Sequence, residues 1–181
     1  LNVLGNSIIQ KYEGVVKEDR LLSEMLSVVN DPKTADVSAM RLSLELDANL
    51  ERVPNTIHAH PYFKLKTIER NEINKLCEWA IRFLAQKQNV IMLDELTEAA
   101  EKETGKRLSK QYIHSVLELD RRIKFVKKGV GLSDLRDINP RTLRDKILYI
   151  LSEAQKPLHY VEISNRIAEL KFDSKPINVQ A

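Results

Sequence analysis

An apolar pair, followed seven residues later by an apolar residue and five after that by another, occurs three times in this chain. The instances are Ile8-Ile9, Val16, Leu21; Phe83-Leu84, Ile91, Leu96; and Ile150-Leu151, Leu158, Ile163. Between the second and third instances the register holds over a longer stretch. There Ala80, Phe83, Leu84, Gln88, Ile91, Glu95 and Leu96 fall on Ile147, Ile150, Leu151, Gln155, Leu158, Glu162 and Ile163. A period of about 70 residues is long enough for a small domain with its own core and too long for most solenoid repeats. The chain therefore reads as three related small domains in a row. Repeat one spans 1–68, repeat two 70–136, and repeat three, truncated, 139–181.

Repeat two is the most legible. Ile73, Leu76, Ala80, Phe83 and Leu84 recur at helical spacing, predicting a first helix from Asn71 to about Lys87 that Gln88-Asn89 breaks. Asp94 opens a second helix through Leu96, Ala99 and Ala100, which Gly105 stops because glycine tolerates positive φ. Ser109 is placed as the N-cap of a third helix running to about Arg122. Ile123, Phe125 and Val130 are strand formers, and Lys128-Gly129 supplies a tight reversal between them. Three helices followed by a hairpin is the winged helix-turn-helix order, so the expected fold is mainly α with short β wings, as tandem winged helix-turn-helix domains.

Repeat one follows the same plan. Its first helix ends near Tyr12, Gly14 turns the chain, and further helices run from Val16 to about Val29 and from Val37 to about Arg52. The segment His60–Lys66 takes the wing position. The third helices of both repeats carry Leu-Glu-Leu-Asp, at 44–47 and 117–120. In repeat three, Asn139 caps and Pro140 begins a helix lined by Leu143, Ile147, Ile150 and Leu151. A second helix runs from Tyr160 to about Leu170, and residues 176–181 begin a third. With that helix cut short, Ile163 and Ile167 are expected to lack partners. Leu1 opens the chain without Met and Ala181 closes it in mid-pattern, as a fragment would.

Composition narrows the function classes. The longest apolar runs are a few residues, far short of the roughly 20 needed to span a bilayer. A lone Cys77 forms no internal disulfide and no multi-cysteine zinc site, and its apolar neighbours make it a small core residue. The net charge of +3 is unevenly spread. Residues 1–55 hold six Lys/Arg against nine Asp/Glu, whereas 105–146 hold twelve against five. That asymmetry points to a polyanion contacted from the middle of the chain.

The run Gly131-Leu132-Ser133-Asp134-Leu135-Arg136-Asp137-Ile138-Asn139-Pro140-Arg141, then Asp145–Tyr149 and Lys156–Ile163, resembles the HARE-HTH family of winged helices. That family includes the N-terminal domain of the bacterial RNA polymerase delta subunit. The arrangement is also similar to bacterial sigma-factor-like proteins with tandem winged-helix repeats. The close likeness covers about 131–181; the upstream repeats fit it more loosely. The resemblance implies transcription-associated binding without catalysis. The basic middle block and the repeat pattern make double-stranded DNA the expected partner, with docking on RNA polymerase or another transcription regulator the alternative, and the expected setting is the cytoplasm, at the nucleoid. No cofactor, membrane or small-molecule substrate is expected.

By helical phase, the third-helix residues of repeat two that face away from the core are Lys110, Gln111, His114 and Ser115, with Arg121 and Arg122 at its end. Lys and Gln near a helix start reach base edges, and wing residues Lys124, Lys127 and Lys128 neutralise phosphates. The competing reading is a solvated helix face and an ordinary cationic hairpin. In repeat one, Ser38, Arg41, Glu45 and Asn49 sit in acidic surroundings that repel phosphate, which favours a structural or protein-binding role. Arg141, Arg144 and Lys146 extend the basic stretch on an amphipathic helix. His58 and His60 are spaced for two imidazoles on one side of a strand, but no further ligand is close in sequence, so a loop-to-strand entry is favoured. Gly129-Val130-Gly131 lacks the context of a nucleotide fingerprint and reads as a wing turn. Tyr12, Trp79 and Tyr149 read as packing residues. No nucleophile–base set or P-loop appears, so the expectation is a binding protein and not an enzyme.

Overall fold

A computed structural model describes residues 2–28, 36–135, 138, 140, 142–154 and 156–169. Repeat one comprises α1 (Asn2–Lys11), β1 (Val15–Lys17), α2 (Glu18–Val28), α3 (Val37–Glu45), β2 (Leu50–Val53) and β3 (Tyr62–Leu65). Repeat two comprises α4 (Arg70–Lys87), α5 (Leu93–Thr104), α6 (Lys110–Leu117), β4 (Ile123–Val126) and β5 (Gly129–Leu132). Beyond these lie α7 (Leu143–Ala154) and α8 (Tyr160–Glu169). The protein is mainly α with short antiparallel wings, and three helices followed by a hairpin occur twice. The chain divides into two compact units, 1–132 and 133–181, so the expected junction near residue 69 falls inside the first.

Local chemistry explains where most elements stop. Gln88 closes α4 in the left-handed conformation (φ 53°), its N–H donating to Leu84 O, and Gly105 does the same for α5 (φ 65°). Ser109 Oγ accepts the Tyr112 N–H at 3.0 Å, and Asp36 Oδ1 accepts the Ser38 N–H at 2.8 Å; each such cap stabilises its helix by about 1 kcal/mol.

Five boundaries differ from expectation. Both third helices stop early, at Glu45 and Leu117, because the Asp of Leu-Glu-Leu-Asp diverts the backbone. Asp47 Oδ1 accepts the Asn49 N–H (2.8 Å) and Asp120 Oδ1 accepts the Arg122 N–H (2.9 Å), so the next element in each repeat is the first wing strand. Val16 lies in β1, paired with Phe63, and α2 begins only at Glu18. The wing of repeat two reverses at Lys127-Lys128, since Val126 pairs with Gly129. The helix of repeat three starts after Thr142, which forms a reciprocal capping box: Asp145 N–H donates to Thr142 Oγ1 and Thr142 N–H to Asp145 Oδ2, both 3.1 Å. Asn139, Arg141 and the segment 176–181 lie outside the described residues.

The sheet of repeat one has the order β1-β3-β2, all antiparallel. Repeat two reproduces it with a single residue in the β1 place: Ile91 bridges Val130 through two backbone hydrogen bonds of 3.0 and 2.8 Å. This closeness requires Gly129, at φ 145°, where a Cβ would stand 2.0 Å from Ile91 O.

Adjacent apolar residues in the first sheet serve different cores. Val16, Leu50 and Phe63 pack on their own helices with Ile9, Leu21, Met25 and Leu44. Val15, Val53 and Tyr62 point the other way, into a cluster with Ile73, Leu76, Cys77, Ala80, Ile113 and Val116 of repeat two. The sheet is thus buried on both faces, and the two repeats share one core. Its charged members are paired: buried Lys64 meets Glu51 at 2.6 Å and donates to Ile68 O at 2.8 Å, while buried Glu18 lies between Arg41 (2.7 Å) and Arg52 (2.6 Å). Cys77 is buried as expected, its Sγ 3.6 Å from Val116 O. Tyr12, Trp79 and Tyr149 each pack on an apolar cluster. In the second unit, Ile163 and Ile167 do find partners: they bury against Ile150, with Leu143, Ile147 and Leu158 around them.

Candidate nucleic-acid interface

The third helix of repeat two is less open than helical phase implies. Lys110 and Gln111 are exposed, and Lys110 Nζ lies 2.6 Å from Asp94 Oδ1. Glu13, Asp94, Glu98 and Glu101 gather around the start of this helix with Arg107 and Lys110, an acidic excess that opposes phosphate. The His114 ring is half-buried, 4.2 Å from that of Phe125, and burial holds its imidazole below the usual histidine range. Ser115 departs furthest from expectation. It is 2% exposed and donates to Gln111 O at 2.8 Å, so no ligand reaches its hydroxyl. The reason is tertiary: β1 of repeat one packs against α6, and Arg20 of α2 reaches Glu118 at 2.6 Å.

The cationic residues beyond α6 are better presented. Arg121, Lys124, Lys127 and Lys128 are exposed, the last two forming the wing reversal. Arg122 is committed elsewhere: it holds Asp120 at 2.8 Å and Glu78 at 2.7 Å, and those hydrogen-bonded carboxylates, Asp120 foremost, raise its already high pKa. Among the nine residues singled out by sequence, Arg121, Lys124, Lys127 and Lys128 group on the wing side of repeat two, and Lys110 and Gln111 stand together at the start of α6. Arg144 and Lys146 belong to the second unit.

Repeat one adds a cation, Lys17, that sequence reasoning passed over. Its 58–60 loop is bound to the turn after α6: Ala59 bridges Asp120, His60 N–H donates to Leu119 O (2.8 Å), and Arg121 N–H donates to His58 O (2.7 Å). Lys17, opposite Tyr62 in the sheet, closes on the same loop through the Glu18 N–H, which donates to Pro61 O at 2.9 Å. The charges of Lys17, Arg121 and Lys124 all act on the His60 imidazole; together with partial burial, the largest cause, they lower its pKa, and Asp19 alone pulls it upward. No linear pattern announces this grouping, because the two segments that create it are about 60 residues apart in sequence.

On repeat one, Arg41 and Glu45 of α3 are held in ion pairs with Glu18 and Arg52. Beside its polar residues, this helix and its C-cap also show two leucines to solvent. Aligning the two Leu-Glu-Leu-Asp segments places Leu42 on Ser115 and Leu46 on Leu119. Ser115 and Leu119 are each 2% exposed, whereas Leu42 is 55% and Leu46 74% exposed. The positions at which repeat two is covered are therefore open on repeat one.

Among the described residues no group of three or more His, Cys, Asp or Glu side chains is placed to hold a metal ion, and no helix is long and apolar enough to cross a membrane. No protein-family model matches this chain, and no curated protein or solved structure is detectably similar to it.

Proposed function

We propose that this chain is a non-catalytic, transcription-associated DNA-binding protein of the HARE-HTH-like kind, which holds duplex by its phosphates through the wing side of repeat two. The grouping of exposed Arg121, Lys124, Lys127 and Lys128 carries this reading. The covered face of α6 and the acidic residues at its start argue against insertion of that helix into a major groove, so contact is to backbone more than to base edges. A bacterial cytoplasmic, nucleoid-associated setting accompanies this reading.

Fluorescence anisotropy of a labelled duplex across a salt series tests it. With about four phosphates neutralised, log K should fall with log salt at a slope of roughly −3 to −4. A Lys124→Ala, Lys127→Ala, Lys128→Ala variant should bind at least tenfold more weakly. Absence of binding at low salt, or an unaffected variant, overturns the proposal.

The open apolar face of α3 favours a second reading, in which repeat one docks on a protein such as RNA polymerase. Such an interface, built on Leu42 and Leu46, would respond little to salt. A pull-down with purified polymerase separates the two: retention that survives high salt and is lost in Leu46→Asp supports docking.

A further inference from the structure

We propose that Lys17 and His60 of repeat one join Arg121 and Lys124 of repeat two in a composite phosphate site across the seam between the repeats, and that a phosphate bound there brings a proton onto His60. This rests on the reading of the chain as a DNA-backbone binder and extends it to residues of repeat one.

The seam is held by main-chain bonds, His60 N–H to Leu119 O and Arg121 N–H to His58 O, so the backbone that carries His60 and Arg121 is fixed before any ligand arrives. Such preorganisation lowers the entropy lost on binding. Each element at the seam contributes charge. Strand β1 brings Lys17, the turn after α6 brings Arg121, and β4 brings Lys124. Against them stands the first turn of α2 with Asp19, whose carboxylate is 3.8 Å from Lys17 Nζ and 75% exposed. Asp120, also at this turn, is buried and neutralised by Arg122 at 2.8 Å, so Lys17, Arg121 and Lys124 outweigh the solvent-facing Asp19 around a partly exposed imidazole, and β4 leads from there into the wing.

The same neighbours set the proton linkage. Without ligand, partial burial and the surrounding cations disfavour a positive charge on His60 and hold its pKa below the usual histidine range. A phosphodiester beside it reverses that field and favours the imidazolium. His60 therefore binds a proton more tightly in the complex than in the free protein. Affinity for duplex then rises as pH falls through the window between the two pKa values, at and below neutrality.

The test is anisotropy of a rhodamine-labelled 20-base-pair duplex with the whole chain, at pH 7.5 and pH 5.5 and over a salt series. Wild type should bind several-fold more tightly at pH 5.5. His60→Gln should bind as wild type does at pH 7.5 and lose the gain at pH 5.5. Lys17→Ala should weaken binding about fivefold and reduce the salt slope by about one. Thermal melts of each variant, matching wild type, establish that the fold is kept; Lys17→Gln replaces Lys17→Ala if they do not. If the wing variant loses affinity while Lys17→Ala and His60→Gln match wild type at both pH values, the composite site is wrong and the wing reading stands. If wild type does not bind duplex at all, the underlying reading fails with it.

Discussion

Asp47 and Asp120 end the third helices of their repeats with one and the same turn. Each Oδ1 accepts the N–H two residues on, at 2.8 and 2.9 Å. Each main-chain N–H donates back to the first Leu of its motif, at 3.2 Å in both cases. The surroundings differ: Asp47 is half-exposed and pairs with Asn6 (2.7 Å), whereas Asp120 is 5% exposed and also holds Arg122. Asp120→Ala should therefore cost about 2–3 kcal/mol and Asp47→Ala about 1 kcal/mol in urea unfolding, since an abandoned partner is costlier the less water reaches it.

The paired leucines of the same motif should behave unequally as well. Leu119→Ala removes a side chain from the core shared by the two repeats, for an expected loss of about 2–4 kcal/mol. Leu46→Ala, at the equivalent but open position, should shift stability by no more than about 0.5 kcal/mol. Equal losses in the two variants would mean that Leu46 is covered in solution.

Two glycines with positive φ offer a control on the wing. Gly105→Ala meets no atom within 4 Å and should cost about 1 kcal/mol for the left-handed backbone alone. Gly129→Ala places its methyl against Ile91 O and must break the bridge between Ile91 and Val130. A loss exceeding that of Gly105→Ala by at least about 1 kcal/mol is expected, with faster amide exchange at Ile91 and Val130.

Burial pushes the Cys77 thiol up to about 12. Between the ordinary thiol value and about 12, the unfolded chain gives up this proton while the folded one keeps it. The contribution of Cys77 to stability is therefore whole below about pH 8.5 and declines as pH rises through that window. At pH 8, a thiol-specific disulfide reagent should leave the native protein essentially unmodified and label the urea-unfolded chain completely.

Helices and wings were legible because periodicity, caps and turn residues act over a few neighbours: Ser109, Gly105 and the apolar stripe of α4 each stand where expected. Helix ends were less so, since an aspartate in helical phase gives no sign that its carboxylate will bind the backbone ahead of it. The interface was the least legible part. Phase turned Ser115 outward correctly with respect to its own repeat, but what lies outside is another repeat, a matter of tertiary packing. One signal was present: Val15-Val16 and Tyr62-Phe63 are apolar neighbours within strands, a pattern that requires both faces of a sheet to be buried. His60 carried no local mark beyond its spacing from His58, because the burial that chiefly lowers its pKa and the charges of Lys17, Arg121 and Lys124 come from residues that share only space with it.

The doubly buried sheet has a consequence for what counts as a piece of this protein. Dividing the chain at the repeat junction would hand repeat one a bare apolar face made of Val15, Val53 and Tyr62, and would take from repeat two part of its interior. The two halves are then expected to melt together, in a single transition, and neither to persist alone. Here the unit that recurs along the sequence is half of the unit that folds.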